Sequence, residues 1–385
     1  MTAGPNFDSA LREQMHDYLD LLGRPLLKIG HKALFVLLLG WAPLPALVIL
    51  QLLARKDPSM LTFFSDFGVH ARSLLAAPLL VLAEAICLPR LAVVAEHFVT
   101  GGLVRDPNRA RFDAAVSSTK ALANSNIVTI VAVVLAYAVI IGLVHYLPPG
   151  VYPLWHSPNH QGYPHLSWAS WWYAMVSLPL LLVLILTWCW RIACWIRFLF
   201  LVSRLKLFLI PAHPDRVGGL GFLDLTLFAF MPLALTLGVL FAGPIANQVF
   251  HEHLPLAKLR FPLLVMVGIA LIVFVLPLVW FSAILRSEFR RGVLQYGGLA
   301  HELGREFEKK WFNQEVGPEA LEVPDFSATT DLYSIVAYSE EMRTLPFDLK
   351  AVVNLVVVTL LPFVPVAFMT IPLSVIVDEA AKLLF

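Results

Sequence analysis

Apolar runs of about 20 residues recur along this chain, and each is long enough as a helix to cross a hydrocarbon core of roughly 30 Å. They are Ala33–Leu53, Leu74–Val99, Ile127–Val144, Trp171–Trp190, Phe222–Ala242, Phe261–Leu285 and Ala351–Val377. The runs predict an all-α polytopic membrane protein with about seven transmembrane helices. Composition agrees, since only 14% of residues are charged and 58% are hydrophobic. A soluble domain carries about 25% charged residues to build its water-facing surface. The formal net charge of +1 also excludes the basic face that a nucleic-acid partner requires.

Lysine and arginine placement sets the expected orientation. With the N-terminus inside, nineteen of these residues fall in cytoplasmic segments and six in outer ones. That asymmetry predicts an N-in, C-out chain with an odd number of spans, in a bacterial inner membrane. Acidic and basic residues alternate up to Lys32 and the first apolar run is too long for a signal-peptide core, so it is expected to act as an uncleaved span. The predicted organisation is an amphipathic cytoplasmic helix within 1–32, six spans over 33–285, a helical cytoplasmic loop at 286–349, and a seventh span with its tail at 350–385. Within the long loop, Gly297-Gly298 is expected to kink the first helix, and Glu302–Arg305 and Glu306–Lys310 have ion-pair spacing. Asp325 or Ser327 would cap a second helix, completing a small helical cap. Asp106-Pro107 begins a further short helix running to about Ala123.

Six of the seven runs contain proline; the third does not. Broken helices free backbone carbonyls and create hinges, which are tolerated where helices line a cavity or move. The second run is expected to break near Pro89.

Candidate functional residues fall in two places. Glu84 lies near mid-membrane, where a charge costs about 2.5–3.5 kcal/mol on insertion scales. It reads either as a proton or cation site, with Arg90 nearby, or as a structural hydrogen bond or ion pair to another helix. Glu96 and His97 fall at the cytoplasmic interface of the same run. The stretch Pro211–Leu223, PAHPDRVGGLGFL, joins the fourth and fifth runs. His213, Asp215 and Arg216 stand beside Gly218, Gly219 and Gly221, ahead of a helix start, which suits an anion site or a gating hinge. Arg191, Arg197 and Arg204 are spaced by six and seven, which does not suit a voltage sensor, so Arg191 is expected to snorkel to the interface. His145, His156, His160, His165, His251 and His253 share the outer face with many aromatic residues, the composition of an interfacial belt. No spacing matches a metal motif, no cofactor is expected, and Cys87, Cys189 and Cys194 read as small buried apolar residues.

Two functional classes remain. One is a channel or secondary transporter for a small ion or solute, with a polar path joining Glu84 to the HPDRVGGLGF turn. The other is a membrane-embedded enzyme or lipid-headgroup binder, in which His213, Asp215, Arg216, Glu96 and His97 meet at the inner leaflet. A scaffold for a partner complex rests only on the amphipathic N-terminus and the charged loop. The expected partners are the lipid bilayer, a small ion or solute and, in an oligomer, further copies of the chain. No serine-nucleophile elbow, P-loop or zinc-protease signature is present, which disfavours an enzyme.

Overall fold

The computed structural model describes residues 29–146, 155, 166–252, 256–312 and 325–370. The expected amphipathic helix before residue 29, His156, His160, His165 and His253, and the end of the seventh run lie outside the described residues. In chain order the helices are α1 (Ile29–Arg55), α2 (Phe67–Thr100), α3 (Asp106–Ala123), α4 (Asn126–Tyr146), α5 (Trp168–Ser203), α6 (Asp224–Glu252), α7 (Arg260–Phe312), α8 (Asp325–Glu340), α9 (Leu349–Leu360) and α10 (Phe363–Thr370). The chain is an all-α polytopic membrane protein. Among the described residues six helices, α1, α2, α4, α5, α6 and α7, are long and apolar enough to cross a membrane, and α9 with α10, bent by 50°, gives a seventh if the pair counts as one span.

The helix at the centre is α6. Of its most apolar window 56% is buried, against 17% for α4, so α6 forms the axis of the bundle and α4 its lipid-facing edge. It packs on α2, α9 and α10. Gly238 allows the closest approach, because a Cβ there would collide with the Thr359 carbonyl of α9 and lie 3.0 Å from Pro362.

Prolines interrupt these helices, and several of the interruptions have a local answer. Pro43 supplies no N–H for the Leu39 carbonyl, and Trp172 Nε1 of α5 donates to it instead at 3.1 Å. Beside it, Ser177 Oγ donates to the Gly40 carbonyl at 2.6 Å. Pro232 likewise frees the Phe228 carbonyl, which accepts from Arg90 Nη1 at 3.2 Å. Three other prolines are absorbed by a widened turn. The π-helical segments Ala71–Ala76, Tyr173–Ser177 and Leu271–Val275 each end two residues before a proline, Pro78, Pro179 and Pro277. In each case the residue preceding the proline donates its N–H five residues back, to Arg72, Tyr173 and Leu271 respectively. Such single-turn bulges keep backbone groups bonded where the α pattern fails.

The expected break near Pro89 does not occur. The helix runs unbroken from Ala77 to Thr100, because cross-helix bonds from Cys87 Sγ to the Ala229 carbonyl and from Arg90 to the Phe228 carbonyl hold it on either side of the proline. The irregular turn lies instead at the π segment before Pro78.

One end of the bundle carries the cap. At about 1.5 Å per residue the 53 residues of α7 extend well beyond the hydrocarbon core, and α8 folds back along its distal part. Gly304 allows the Tyr333 hydroxyl against α7, and Phe307, Trp311 and Phe326 close the tip. The helix continues through Gly297-Gly298, with α8 packed along it. Lys309 takes Glu306 at 3.0 Å in place of the expected Lys310.

Candidate functional site

At the cap end, the segment between α5 and α6 turns through three left-handed residues, Arg216 (φ 58°), Gly218 (φ 66°) and Gly219 (φ 98°). Successive amides in such a turn point inward and form an anion-binding concavity. The anion held there is the turn's own. Asp215 Oδ1 accepts from the N–H of Val217 at 2.9 Å and of Gly219 at 3.1 Å, while Oδ2 accepts from Gly221 at 2.9 Å. His213 Nδ1 lies 2.8 Å from Oδ1. An ionised carboxylate cannot donate, so that nitrogen carries the proton, and its 3.3 Å approach to the Asp215 amide is then not a hydrogen bond. Burial raises the Asp215 pKa, but the three amides and the imidazole more than offset it and hold the carboxyl below its ordinary value. Gly221 is required because a Cβ would sit 3.1 Å from this carboxylate. The amides of the glycine turn therefore have an internal occupant.

The turn is also the junction of the cap. The Arg343 N–H donates to the Arg216 carbonyl at 2.6 Å, and Arg216 pairs with Glu341 at 3.1 Å. A Cβ on Gly292 of α7 would lie 2.5 Å from Pro211 Cβ. Asp224 at the start of α6 accepts the Asp348 N–H, just ahead of α9, at 2.8 Å.

Above the turn opens a cleft of about 1090 Å³. One wall is the Gly101-Gly102 corner between α2 and α3, with His97 and Arg105; the other is the turn, with His213 and Asp215. Arg105 stacks its guanidinium on Phe208, 3.2 Å from the ring centroid. The floor is aromatic. His97 meets Phe222 at 4.4 Å between centroids, and Phe222 meets the fully buried Phe98 at 5.0 Å. Phe98 in turn stacks on Phe281 at 6.0 Å.

Of the residues singled out from sequence, His97, His213, Asp215, Gly218, Gly219 and Gly221 share this cleft. Arg216 and Glu96 are not among its lining residues: Arg216 faces α8, and Glu96 is exposed on α2. Glu84 lies elsewhere. It faces α5 and pairs with Arg191 at 3.2 Å, so Arg191 is an interhelical partner rather than a snorkelling cation. Arg90 turns to α6, where it satisfies the carbonyl freed by Pro232. The two residues that sequence spacing grouped as one transport or proton site thus serve different helix contacts.

Sequence reasoning missed a second polar centre at the opposite end of α6. Asp66 is only 4% exposed. It accepts from Asn247 Nδ2 of α6 at 2.8 Å, from Trp155 Nε1 at 2.9 Å and from the Val69 N–H at 3.1 Å. Burial raises its pKa, yet Asn247, Trp155, the Val69 amide and nearby Arg72 together hold it below the ordinary value. Trp155 is fully buried and packs on Phe63 at 5.2 Å. The one available signal was Asp66 immediately before an apolar run, an N-cap position. Among the described residues, no group of three His, Cys, Asp or Glu side chains is placed to hold a metal ion.

In comparisons with known proteins, no family model, curated protein or solved structure matches this chain.

Proposed function

We propose that this is a membrane transport protein, a channel or secondary transporter for a small ion or solute, with its path along the seam between α2 and α6. One observation carries the reading: a cleft with charged and apolar walls opens at the cap end of that seam beside a packed aromatic layer. At the far end of α6, Asp66 ties Asn247 to Trp155. A cleft, a packed aromatic layer and the Asp66 cluster, set along one helix, support the reading of an occluded pathway. The excess of Lys and Arg on the cap side supports an entrance that faces the cytoplasm, in a bacterial inner membrane. Glu84 and Arg191 lie on the other flank of α2 and act as a structural pair. An inner-leaflet enzyme has less support, because Arg216 and Glu96 stand outside the cleft.

The test is flux in proteoliposomes challenged in turn with K⁺, Na⁺, Cl⁻ and phosphate gradients. Wild-type protein is expected to carry at least one of them above protein-free vesicles, and Phe222→Ala, which trims the floor, to raise the rate. Glu84→Gln is expected to leave the rate unchanged. Background flux for every ion, in wild type and in a folded Phe222→Ala variant alike, would overturn the reading.

A further inference from the structure

A second groove, of about 220 Å³, lies where α2, α3 and α5 meet, away from the cleft. Leu88, Leu91 and Ala95 of α2 and Phe198 of α5 line its depth. Lys120 and Asn124, near the C-terminal end of α3, and Arg191 of α5 also line it. It is thus largely apolar, with its charge supplied by two basic side chains.

The hydrogen-bond inventory around this groove is unbalanced. Arg197 stands just outside the lining, joined to it through Thr119; it is half-buried and donates only to the hydroxyls of Ser118 at 3.2 Å and Thr119 at 3.3 Å, with no carboxylate partner among the described residues. Lys120 has no ion-pair partner among them either. Trp195 lines the groove with a buried indole N–H that has no acceptor. The nearest acid, Glu84, one turn above Leu88, is already taken by Arg191. The negative end of the α3 dipole is partly answered by Trp190 Nε1, which donates to the Leu122 carbonyl at 3.0 Å. What is missing is an anionic acceptor.

We infer that this groove binds an anionic phospholipid, with its phosphate against Lys120 and Arg197 and a glycerol ester oxygen accepting from Trp195. Basic pockets between transmembrane helices recognise anionic headgroups in this way, and charge-assisted bonds to phosphate are the strong ones. The volume is about seven waters at ~30 Å³ each. That suits a glycerol phosphate, with the acyl chains lying in the bilayer.

Native mass spectrometry of the full-length protein in detergent tests this, with phosphatidylglycerol, phosphatidylcholine and inorganic phosphate as separate probes. Phosphatidylglycerol is expected to be retained about tenfold better than phosphatidylcholine, because both offer the phosphate but the choline cation of the latter is repelled by the basic side chains, a difference of about 1.4 kcal/mol. Lys120→Gln with Arg197→Gln should abolish that preference, whereas Lys309→Gln on the distal cap should preserve it. Trp195→Phe keeps the packing, removes only the donor, and should lower retention several-fold. Equal retention of the two lipids, or an unchanged preference in the folded double variant, overturns the inference. Competition by inorganic phosphate at the same concentration overturns the lipid assignment.

Discussion

The pairing of Arg90 with a proline-freed carbonyl makes a quantitative prediction. Pro232 leaves the Phe228 carbonyl without its helical donor, and Arg90 Nη1 supplies one from α2 at 3.2 Å. Arg90→Met keeps an apolar stem of similar reach and removes only the donor. An unpaired carbonyl within the spans costs about 1–3 kcal/mol. The bond is longer than the usual 2.9–3.0 Å, so the lower half of that range applies, about 1–2 kcal/mol. Pro232→Ala restores an N–H at position 232 that can bond the same carbonyl within α6. Arg90→Met should therefore be destabilising in the wild-type background and close to neutral in the Pro232→Ala background. The difference is a coupling energy of about 1–2 kcal/mol. Equilibrium unfolding of the four proteins by sodium dodecyl sulfate in mixed micelles measures it. Simple additivity, with a coupling below about 0.5 kcal/mol, would show that Arg90 does not serve this carbonyl.

Asp66 and Asp215 both have lowered carboxyl pKa values in the folded state. Their stabilisation is therefore fully present above the ordinary carboxyl value of about 3.9 and is lost as pH falls through the lower folded value. Acid-induced melting of the solubilised protein should steepen below that point, and Asp66→Asn and Asp215→Asn should each flatten the decline while lowering stability at neutral pH. Gly238→Ala places a Cβ against the Thr359 backbone carbonyl and should lower stability by about 2 kcal/mol or more. Gly268→Ala meets nothing within 4 Å and should instead gain up to about 1 kcal/mol from helix propensity, both read as shifts in the same unfolding titration.

The spans were legible because a run of about 20 apolar residues has few structural alternatives. What each proline does was not legible, since it depends on a donor from another helix. Pro89 leaves its helix intact because Cys87 and Arg90 anchor it to α6, and neither contact has a signature in local spacing. Glu84 was visible as a buried charge, yet its partner Arg191 is brought to it only when α2 and α5 pack. The glycines at 218 and 219 correctly signalled unusual backbone, while the occupant of their amides was hidden within the motif. Asp215, two residues before the Val217 amide, has the spacing of an Asx turn, and that signal favours a closed turn over an open anion site. Asp66 carried only an N-cap signal, and Asn247 and Trp155 carried none.

At each end of α6 a carboxylate gathers several donors, but not with equal strength. Asp66 is 4% exposed, and its partners come from an otherwise dry cluster. Releasing Asn247 would leave a buried charge short of donors, the expensive half of a broken hydrogen bond. The Asp215 side chain is 22% exposed beside the cleft, where water can replace any amide that moves away. The Arg216–Glu341 pair joining that turn to α8 is half-exposed on both sides and adds only about 0–1 kcal/mol. Motion along α6 should therefore begin at the cap end. On the proposed transport reading, displacement of the turn is expected to carry Phe222 away from Phe98 and open the floor of the cleft while the Asp66 cluster still holds.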